Sequence, residues 1–552
     1  MKTILVIWSI WISLVSYGQS PGFEWAVAAN GPGRSEAYAV ATDANGNIYT
    51  TGWFENTVDF DPGTGVVELT SNGHDDIFIQ KLDANGNMLW TKKIGGVDGD
   101  RGSAIATDED GNVYITGVFT NTVDFDPGNS VYELTSQGWN DIFMLKLDTD
   151  GNFIWAKYLQ GTAREYTYDM HIDLDGNVLI TGSYEWQIDF DPDPNNSQTF
   201  QSTGHYDTFV AKYDADGNYI WAKVFNNNNG NANGVGYGIT TDSYNNVLLT
   251  GYFEQTVDFD GGSGQTLLTS ISGKDIFIEK LNANGDLIWV KQVGGTADQN
   301  AFDIATDSNN NIFLTGYFRE VTDFDPSSAE FIITSAQGDD FFVEKLDENG
   351  NFVWAKAIAD ASGIQRGFGI TVNSNDEILF TGKSNGIYIE KSDNNGNEIW
   401  SVNYNGNGNN TLGKAVCIDA NDNIITTGII NGGNPIDFDP SSNEFLLTPA
   451  NHWGTAFVYK LNNTLADIAS YAIIKDIRIY PNPVQTDLQI QLPANRTYEI
   501  RLFDLNGKQL IHLKTGDITC SINLSNLPAS TYLLLIIDRS NRQAKTLKIQ
   551  KI

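Results

Sequence analysis

Paired aspartates at a regular spacing are the residues of this chain whose types most directly suggest chemistry. A short acidic segment, exemplified by Val-Asp-Phe-Asp-Pro, occurs six times along the 552 residues. Carboxylates with backbone carbonyls nearby are hard oxygen ligands, so each pair is a candidate site for Ca²⁺. The copies lie at residues 58–62, 123–127, 188–192, 257–261, 322–326 and 436–440. Their aspartates are Asp59, Asp61, Asp124, Asp126, Asp189, Asp191, Asp258, Asp260, Asp323, Asp325, Asp437 and Asp439.

A structural role for these aspartates competes with calcium binding. Alternate residues of an extended chain point to opposite sides, so Val58 and Phe60 would face the sheet while Asp59 and Asp61 face outward. Aspartates at turns also accept hydrogen bonds from backbone N–H groups. The near-identity of the copies favours the structural role, because a single binding site usually breaks symmetry. Calcium remains the second interpretation, and the sequence makes no cofactor certain.

Signals for catalysis are weak. Two turns, which open at Asp108 and Asp173, resemble the start of an EF-hand loop, but Phe119 and Tyr184 stand where the bidentate glutamate belongs. We therefore expect hairpin turns there. The chain contains no metalloprotease, nucleophile-elbow or phosphate-loop motif. A glycosidase-like carboxylate pair among so many acids stays open, but nothing singles one out. Enzymatic activity is therefore uncertain, and the sequence leans toward none.

A repeat of about 65 residues must position these groups. Each unit reads roughly as D-x-x-G-N followed by Thr-Gly, a strand such as DIFIQKL, and G-N-x-x-W. This pattern predicts four short strands joined by tight turns, and such a period is typical of propellers and solenoids. The tryptophans that mark the units are Trp25, Trp90, Trp155, Trp221, Trp289, Trp354 and Trp400.

The phase of the repeat predicts how the domain closes. The seventh unit ends near Leu461 without a tryptophan strand, whereas the chain begins with an orphan strand around Trp25. The two parts would complete one unit, which predicts an all-β fold: a seven-bladed β-propeller closed by the N-terminal strand. A β-helix or two stacked smaller units are the alternatives. These motifs resemble the secreted bacterial β-propeller repeats of the SBBP type, a resemblance that covers about residues 20–462.

A propeller would place the acidic inserts and the glycine-rich loops, such as residues 95–100, on one face. Aromatic side chains there could stack on sugar rings, although packing between blades is the favoured role for them. The candidate aromatics are Trp53, Trp139, Trp186 and Trp453.

Charge and the N-terminus indicate the compartment. The formal net charge is -36, so the chain should repel nucleic acid and anionic membranes. Residues 1–18 read as a signal peptide with Lys2 before an apolar stretch. No later segment is long and apolar enough to predict a transmembrane helix. The two cysteines, Cys417 and Cys520, fall in different predicted domains, so a disulfide framework is not expected.

The composition changes after residue 462. We assign residues 19–462 to the propeller, 463–474 to a linker and 475–552 to a small Ig-like β-sandwich. Residues 472–552 carry 11 basic and 6 acidic residues, in contrast to the acidic propeller. Their motifs resemble the type A C-terminal sorting domain of the type IX secretion system; one departure is Ala529-Ser530-Thr531, where that family usually has glycine. The matching positions include Tyr480, Pro481, Asn482, Pro483, Gly507, Lys508 and Tyr532.

These features lead to one functional hypothesis with two alternatives. The sorting-domain resemblance implies export by the type IX machinery and a secreted or surface-attached location. The favoured hypothesis is a non-catalytic binding module for a glycan, protein or matrix ligand. A polysaccharide-active hydrolase or lyase and a purely structural surface protein are the alternatives.

Overall fold

The computed structural model describes residues 21–202, 205–226, 233–336, 338–358, 363–405, 411–441, 443–450, 453–465, 472–473, 477–493, 498–503, 509–525, 527–538 and 543–552. Within these ranges the chain forms strands and turns without any helix, so the predicted all-β class is confirmed. The chain divides into two compact units, Ser20–Asn463 and a second that includes Thr464–Ile552. The predicted signal peptide lies outside the described residues, as do residues 466–471 and 474 of the predicted linker. In the described part of the chain, no helix is present that could cross a membrane.

The strands of the larger unit follow one another at short intervals. Its first half contains β1 (Pro21–Ala28), β2 (Arg34–Thr42), β3 (Ile48–Asp59), β4 (Glu68–Leu82), β5 (Met88–Ile94), β6 (Arg101–Thr107), β7 (Val113–Phe119), β8 (Thr122–Asp124), β9 (Glu133–Thr135), β10 (Asp141–Leu147), β11 (Phe153–Gly161), β12 (Glu165–Ile172), β13 (Val178–Tyr184), β14 (Gln187–Asp189), β15 (Thr199–Gln201), β16 (Asp207–Tyr213), β17 (Tyr219–Phe225), β18 (Asn233–Thr241) and β19 (Val247–Glu254). Its second half contains β20 (Thr256–Asp258), β21 (Leu267–Thr269), β22 (Asp275–Leu281), β23 (Leu287–Gly295), β24 (Gln299–Thr306), β25 (Ile312–Phe318), β26 (Val321–Asp323), β27 (Ile332–Thr334), β28 (Asp340–Leu346), β29 (Phe352–Ile358), β30 (Arg366–Val372), β31 (Ile378–Lys383), β32 (Gly386–Ser392), β33 (Glu398–Asn405), β34 (Leu412–Ile418), β35 (Ile424–Ile430), β36 (Ile436–Asp437), β37 (Leu446–Leu447) and β38 (Thr455–Leu465).

The D-x-x-G-N motifs close hairpins. Asp43 Oδ1 accepts the backbone N–H groups of Asn45 and Asn47, both at 2.9 Å. Gly46 between them has a φ of 77°, in the left-handed region that glycine enters without steric cost. Asp108 and Asp173, which open the two turns that resemble EF-hand loops, accept the same pattern of backbone N–H groups. The motif therefore makes an aspartate-capped hairpin turn.

Each repeat forms a meander of four antiparallel strands. We call the first strand of each meander the inner strand; each inner strand contacts the inner strand of the next unit, and β34 contacts β2. The last meander combines the seventh unit with β1, the first strand of the chain. The strand orders are β2-β3-β4-β5, β6-β7-β10-β11, β12-β13-β16-β17, β18-β19-β22-β23, β24-β25-β28-β29, β30-β31-β32-β33 and β34-β35-β38-β1.

The acidic inserts form short hairpins, and several of them pair with the sheet of the preceding unit. The hairpin β14–β15 extends the sheet of the second unit beside β11, and β26–β27 extends the sheet of the fourth unit beside β23. A single bridge pairs Asn30 with Asp59, and another pairs Asn226 with Asp258. Val58 and Phe60 are buried as the alternation predicts. The inserts thus add backbone hydrogen bonds between neighbouring units.

A lysine near the end of each third strand also connects neighbouring units. Lys212 Nζ lies 2.8 Å from Asp173 Oδ2 in its own unit and 3.5 Å from the carbonyl oxygen of Ala283 in the next. The Lys212 and Asp173 side chains are only 5% and 1% exposed. We call this arrangement the lysine tie. Equivalent bonds to the next unit run from Lys81 to Thr149, Lys146 to Ala215, Lys280 to Glu348, Lys345 to Asn394 and Lys460 to Ala84.

The smaller unit consists of two sheets that share one hydrophobic core. Leu488 and Ile522 from one sheet and Ile500 and Ile536 from the other are buried in that core. Its strands are β39 (Ala472–Ile473), β40 (Arg478–Tyr480), β41 (Asp487–Gln491), β42 (Tyr498–Phe503), β43 (Gln509–Thr515), β44 (Thr519–Asn523), β45 (Ser530–Asp538) and β46 (Gln543–Lys551). The sheet orders are β39-β46-β45-β42-β43 and β40-β41-β44.

Candidate functional site

A β-bulge interrupts every inner strand at the same place. In β2 the pairing with β3 skips one residue between Ala37 and Ala39, which leaves Tyr38 unpaired. A bulge bends its strand and redirects a side chain away from the regular alternation. The bulged residues all line the cavity enclosed by the inner strands or its mouth. They are Tyr38, Ser103, Tyr168, Tyr237, Phe302, Phe368 and Lys414.

The Thr-Gly motif of each second strand explains why the bulge can form there. A Cβ added to Gly117 would lie 2.0 Å from the carbonyl oxygen of Arg101, so only glycine lets the inner strand approach this closely. The neighbouring Thr116 donates its hydroxyl to the carbonyl oxygen of Phe143 at 2.8 Å, which fixes the second strand to the third. The motif is therefore the local cause of the bulged geometry.

Six of the seven bulged side chains form a continuous row. The rings of Tyr168 and Tyr237 lie 4.6 Å apart between centroids, and the row continues from Tyr237 to Phe302 at 5.1 Å and to Phe368 at 5.2 Å. Lys414 then lies over the rings of both Phe368, at 5.2 Å, and Tyr38, at 5.0 Å. Such cation–π contacts are attractive when the ammonium is within about 6 Å of a ring. The row is open only at the second unit.

Ser103 occupies the open position, and a cavity of about 700 Å³ lies beside it. Because a serine stands where five units have an aromatic ring, the mouth of the inner cavity is asymmetric. A pocket of this size is in the range that encloses small organic ligands. The residues that line it on the side of the second unit include Asp75, Asp98, Arg101, Trp139, Asn140 and Tyr166.

Charged groups of the cavity are held in place before any ligand arrives. The Arg101 guanidinium bonds to Asp75 and lies 5.1 Å from the ring of Trp53. Asp98 accepts a hydrogen bond from the Asn121 side chain at 2.5 Å. These contacts leave the cavity close to electrically balanced, with both donors and acceptors on its wall. A site with a few fixed polar groups among aromatic surfaces is typical of ligand binding.

Tyrosines of the row stay protonated over the physiological range. Burial, with a smaller contribution from the Glu36 carboxylate, raises the pKa of Tyr38 to about 12. Burial also raises the pKa of Tyr237 to about 12. The phenol groups are therefore neutral hydrogen-bonding groups, and they supply no acid or base near neutral pH.

Two carboxylates, those of Asp169 and Asp303, line the deeper cavity that the inner strands enclose, below the cavity beside Ser103. Asp169 accepts backbone N–H groups from Met170 and from Ile239 in the next inner strand, both at 2.8 Å. Asp303 makes the equivalent bonds with Ile304 and with Ile370 in the next inner strand. Burial raises the pKa of Asp169 to about 7, and burial followed by the charge of Asp169 raises that of Asp303. Both carboxylates thus fasten neighbouring inner strands together.

The paired aspartates of the inserts line neither the cavity enclosed by the inner strands nor the cavity beside Ser103. Asp59 Oδ1 accepts the backbone N–H groups of Asp61 at 3.1 Å and Val67 at 2.8 Å, and Asp61 Oδ1 accepts that of Gly63 at 2.8 Å. The same bonds recur at Asp124, Asp126, Asp189, Asp191, Asp258, Asp260, Asp323, Asp325, Asp437 and Asp439. Among the described residues, no three His, Cys, Asp or Glu side chains are grouped to hold a metal ion.

Of the four tryptophans predicted as candidate platforms, Trp53 is buried. Its indole N–H donates to the Tyr38 hydroxyl at 3.1 Å, and the guanidinium groups of Arg34 and Arg101 lie over its ring. Trp139, Trp186 and Trp453 are 68%, 68% and 75% exposed. Only Trp139 lines the cavity.

Sequence reasoning missed the bulged aromatics, because the inner strands read as small and weakly apolar. An alignment of the repeats shows the signal. An aromatic residue stands five residues before the first turn of the repeat in five units, but Ser103 and Lys414 stand there in the second and seventh.

The predicted sorting motif lies where the smaller unit joins its first strands to its last. Asn482 donates its side-chain N–H to the carbonyl oxygen of Lys548 at 2.9 Å and accepts the N–H of Gln550 at 2.8 Å. Tyr532 is buried and its hydroxyl donates to the carbonyl oxygen of Pro528. Tyr480 is exposed, and Gly507 and Lys508 lie outside the described residues. Asn482 of the motif thus joins the start of the smaller unit to its last strand, β46, by hydrogen bonds.

The repeated meanders define a β-propeller-repeat protein, and comparison with known families agrees. The Beta-propeller repeat family matches residues 89–118 and 288–317. The Secretion system C-terminal sorting domain family matches residues 478–550. The chain is therefore a protein with SBBP-type β-propeller repeats and a C-terminal sorting domain of the type IX secretion system. This domain indicates a secreted or cell-surface protein that interacts with the secretion machinery.

Individual relatives are distant. An uncharacterized WD repeat-containing protein, L264, of Acanthamoeba polyphaga mimivirus is 26% identical over 435 residues, which are 65% of this chain and 31% of the relative. Regulatory protein FlaEY of Caulobacter vibrioides is 21% identical over 229 residues, which are 42% of this chain and 22% of the relative. The chain thus spans a third or less of the length of these curated relatives.

Similarity to solved structures is also low. A protein of unknown function from Bacteroides caccae is 12% identical with a TM-score of 0.31, over 59% of this chain and 89% of that one. PorZ, a surface component of the type IX secretion system of Porphyromonas gingivalis, is 10% identical with a TM-score of 0.16, over 96% of this chain and 100% of that one.

Proposed function

We propose that the seven sheets are the blades of one closed β-propeller and that β1 completes the seventh blade. The ties between units support this proposal, because they continue from the last unit to the first. Lys460 Nζ lies 3.2 Å from the carbonyl oxygen of Ala84, and the indole N–H of Trp25 donates to the same oxygen at 3.1 Å. The backbone N–H of Ala456 donates to Ser35 Oγ at 3.0 Å. Closure of this kind protects sheet edges.

For the smaller unit we propose an Ig-like sandwich. Two sheets, antiparallel except for the parallel pair β39–β46, bury one shared hydrophobic core and support it. This unit would deliver the propeller across the outer membrane, after which the protein is released or retained at the surface.

The propeller itself, we propose, binds a glycan without catalysis, in the cavity beside Ser103. The observation that carries this proposal is the break in the row of bulged side chains, because the cavity over the row extends beyond it only on the side of this break. Its wall combines an exposed indole, Trp139, with the fixed polar groups of Arg101, Asp98 and Asn140. Flat aromatic faces suit the apolar faces of sugar rings, while the polar groups suit their hydroxyls.

The charge of the domain favours a neutral glycan. The chain carries 69 acidic and 33 basic residues, and the acidic excess lies in the propeller. Like charge repels an anionic polymer at long range. The arginine in the cavity is paired with Asp75, so it does not create a local site for a carboxylate-rich ligand.

A binding screen tests this function. The mature chain is titrated with neutral polysaccharides, namely β-1,4-glucan, β-1,4-mannan and α-1,4-glucan, and with anionic alginate and polygalacturonate. Released reducing ends are measured in parallel. We expect binding to a neutral glycan without product release, and a loss of about tenfold in affinity for Trp139→Ala, since buried aromatic anchors dominate binding energy.

A matched control is Trp453→Ala, which removes an equally exposed indole outside the cavity. It should bind like the wild type. Absence of binding to every neutral glycan, or an equal loss in both variants, would contradict the proposed site. Product release would favour the hydrolase or lyase alternative.

For the insert aspartates we propose a structural role as turn caps. Asp59 Oδ1 is shared by two backbone N–H groups, and the same atom of Asp124 has the same two kinds of partner. Calcium at these carboxylates is the alternative proposal, and it is tested by the effect of the ion on thermal stability, described below.

A further inference from the structure

Two exposed tryptophans flank one loop between the second and third units. Segment 162–164 lies between the segment around Trp139 and residues 185–187. Trp139 donates its backbone N–H to the carbonyl oxygen of Ala163 at 2.7 Å, and Glu185 donates to that of Arg164 at 2.9 Å. Three adjacent chain segments place the outer two about 10 Å apart, since neighbouring strands are spaced by about 4.8 Å.

Both indoles are exposed, and contacts fix the ring of Trp139 and the backbone of Trp186. The Arg164 guanidinium lies 4.6 Å from the Trp139 ring centroid and covers one of its faces. The carbonyl oxygen of Trp186 accepts the backbone N–H of Ser202 at 2.5 Å and the side-chain N–H of Gln201 at 2.7 Å. Rigid aromatic side chains lose little conformational entropy when a ligand orders against them, which favours binding.

Trp186 also adopts an unfavourable backbone conformation. Its φ is 63°, in the left-handed region where a bulky residue is rare. Other units have Asn56, Asn121, Gln255 and Glu320 at the equivalent position, with φ values of 63°, 61°, 65° and 53°, so the repeat itself imposes this conformation. What distinguishes the third unit is therefore the side chain, an indole that is 68% exposed where the sister units have polar residues.

A track of aromatic rings links this surface to the inner cavity. The Tyr206 and Tyr166 ring centroids are 6.1 Å apart, and those of Tyr166 and Tyr168 are 6.2 Å apart. Tyr206 shares hydrogen bonds with Arg164 and Glu185, beside the two tryptophans. Tyr168 belongs to the row of bulged side chains. Aromatic surface is thus continuous from the cavity to the rim on this one side.

We propose that the site takes an extended neutral polysaccharide chain, one part of which lies in the cavity beside Ser103 while a further part crosses segment 162–164 and stacks on Trp186. This proposal rests on the glycan-binding function proposed above and adds a second subsite to it. A single pyranose ring cannot reach both indoles, so the second subsite acts only on chains of several sugar units.

The test uses a ladder of oligosaccharides. The mature chain is titrated by calorimetry with β-1,4-glucan, β-1,4-mannan and α-1,4-glucan oligosaccharides of one to six units. Trp186→Asn is the main variant, because the sister units show that asparagine fits this backbone. Trp453→Ala is the control. In the wild type, affinity should rise with chain length.

Trp186→Asn should lose about tenfold in affinity for the longest chain that binds and should leave that for the shortest unchanged, because large aromatic contacts dominate binding energy. Equal affinity for short and long chains, or a full length effect retained in Trp186→Asn, would overturn the second subsite and leave the proposed function standing. Failure of all three ladders to bind would overturn both.

Discussion

The lysine ties and the cavity beside Ser103 are built from the same repeat but use it in opposite ways. A tie joins almost every unit to the next, with a buried lysine, an acidic partner and a carbonyl oxygen in nearly the same geometry. The cavity extends on the side of the one unit, with Ser103, that departs from the row of bulged side chains. Residues that recur in every unit therefore serve stability, and a functional site is to be sought where one unit differs.

The largest expected effect is on a tie. Lys212→Ala should lower the free energy of unfolding by about 3 kcal/mol, because it leaves the Asp173 carboxylate buried without its cation. Folded Lys212→Ala should still bind glycan as the wild type does. Urea denaturation followed by tryptophan fluorescence measures the first effect, and titration measures the second.

Lys223→Ala is the control for that variant. Lys223 lies 4.0 Å from Asp286, whose side chain is 68% exposed, so this pair should contribute about 1 kcal/mol or less. Similar losses in Lys212→Ala and Lys223→Ala would mean that the buried ties are not what joins the units.

The buried glutamate of the third unit, Glu165, predicts that the stability of the protein depends on pH. Glu165 is buried beside Asp141, and burial followed by the charge of Asp141 raises the pKa of Glu165 to about 9. Since this pKa is higher in the folded than in the unfolded chain, where it is about 4.3, the stability it confers is intact at low pH. That stability is lost as the pH rises from about 4 toward 9.

Glu165→Gln should therefore stabilise the protein at pH 8 by about 1 kcal/mol or more and have little effect at pH 4. The chain has glutamine at the equivalent positions of two other units, Gln299 and Gln365, so the substitution fits the repeat. Thermal unfolding across pH checks this. Equal stability of variant and wild type at pH 8 would show that Glu165 is neutralised by something other than its own proton.

The smallest expected effect concerns calcium. If the insert aspartates act as turn caps, neither EDTA nor millimolar Ca²⁺ should change the melting temperature. An ion that binds only the folded state must raise stability. A rise with Ca²⁺ that Asp59→Asn and Asp61→Asn diminish would support the calcium alternative.

Much of the architecture could be predicted because its causes are local. Aspartate turns, the Thr-Gly motif and the tryptophan strand each leave a fixed pattern, and the orphan strand around Trp25 indicated a partner in the seventh unit. The strand pairing of β1 with β38 fits that reasoning. The resemblance of the C-terminal residues to a sorting domain was likewise carried by local motifs.

The cavity could not be predicted in the same way. A bulge breaks the alternation of side chains, so the direction of Tyr38 or Ser103 does not follow from position along the strand. The contact of Lys414 with Tyr38 joins residues from opposite ends of the domain. Trp53, which reads as an exposed platform, is covered by two arginines whose positions depend on neighbouring units.

The central claim is that a neutral glycan binds in the cavity beside Ser103. The affinity and the melting temperature of Ser103→Tyr, measured together, test this claim most directly. Tyrosine occupies this bulge in three other units, at Tyr38, Tyr168 and Tyr237, so the fold should accept it and the melting temperature should not fall. The new ring would continue the row and narrow the cavity at the break, and binding of the neutral glycan should weaken by about tenfold. Wild-type affinity in a folded Ser103→Tyr protein would contradict the account.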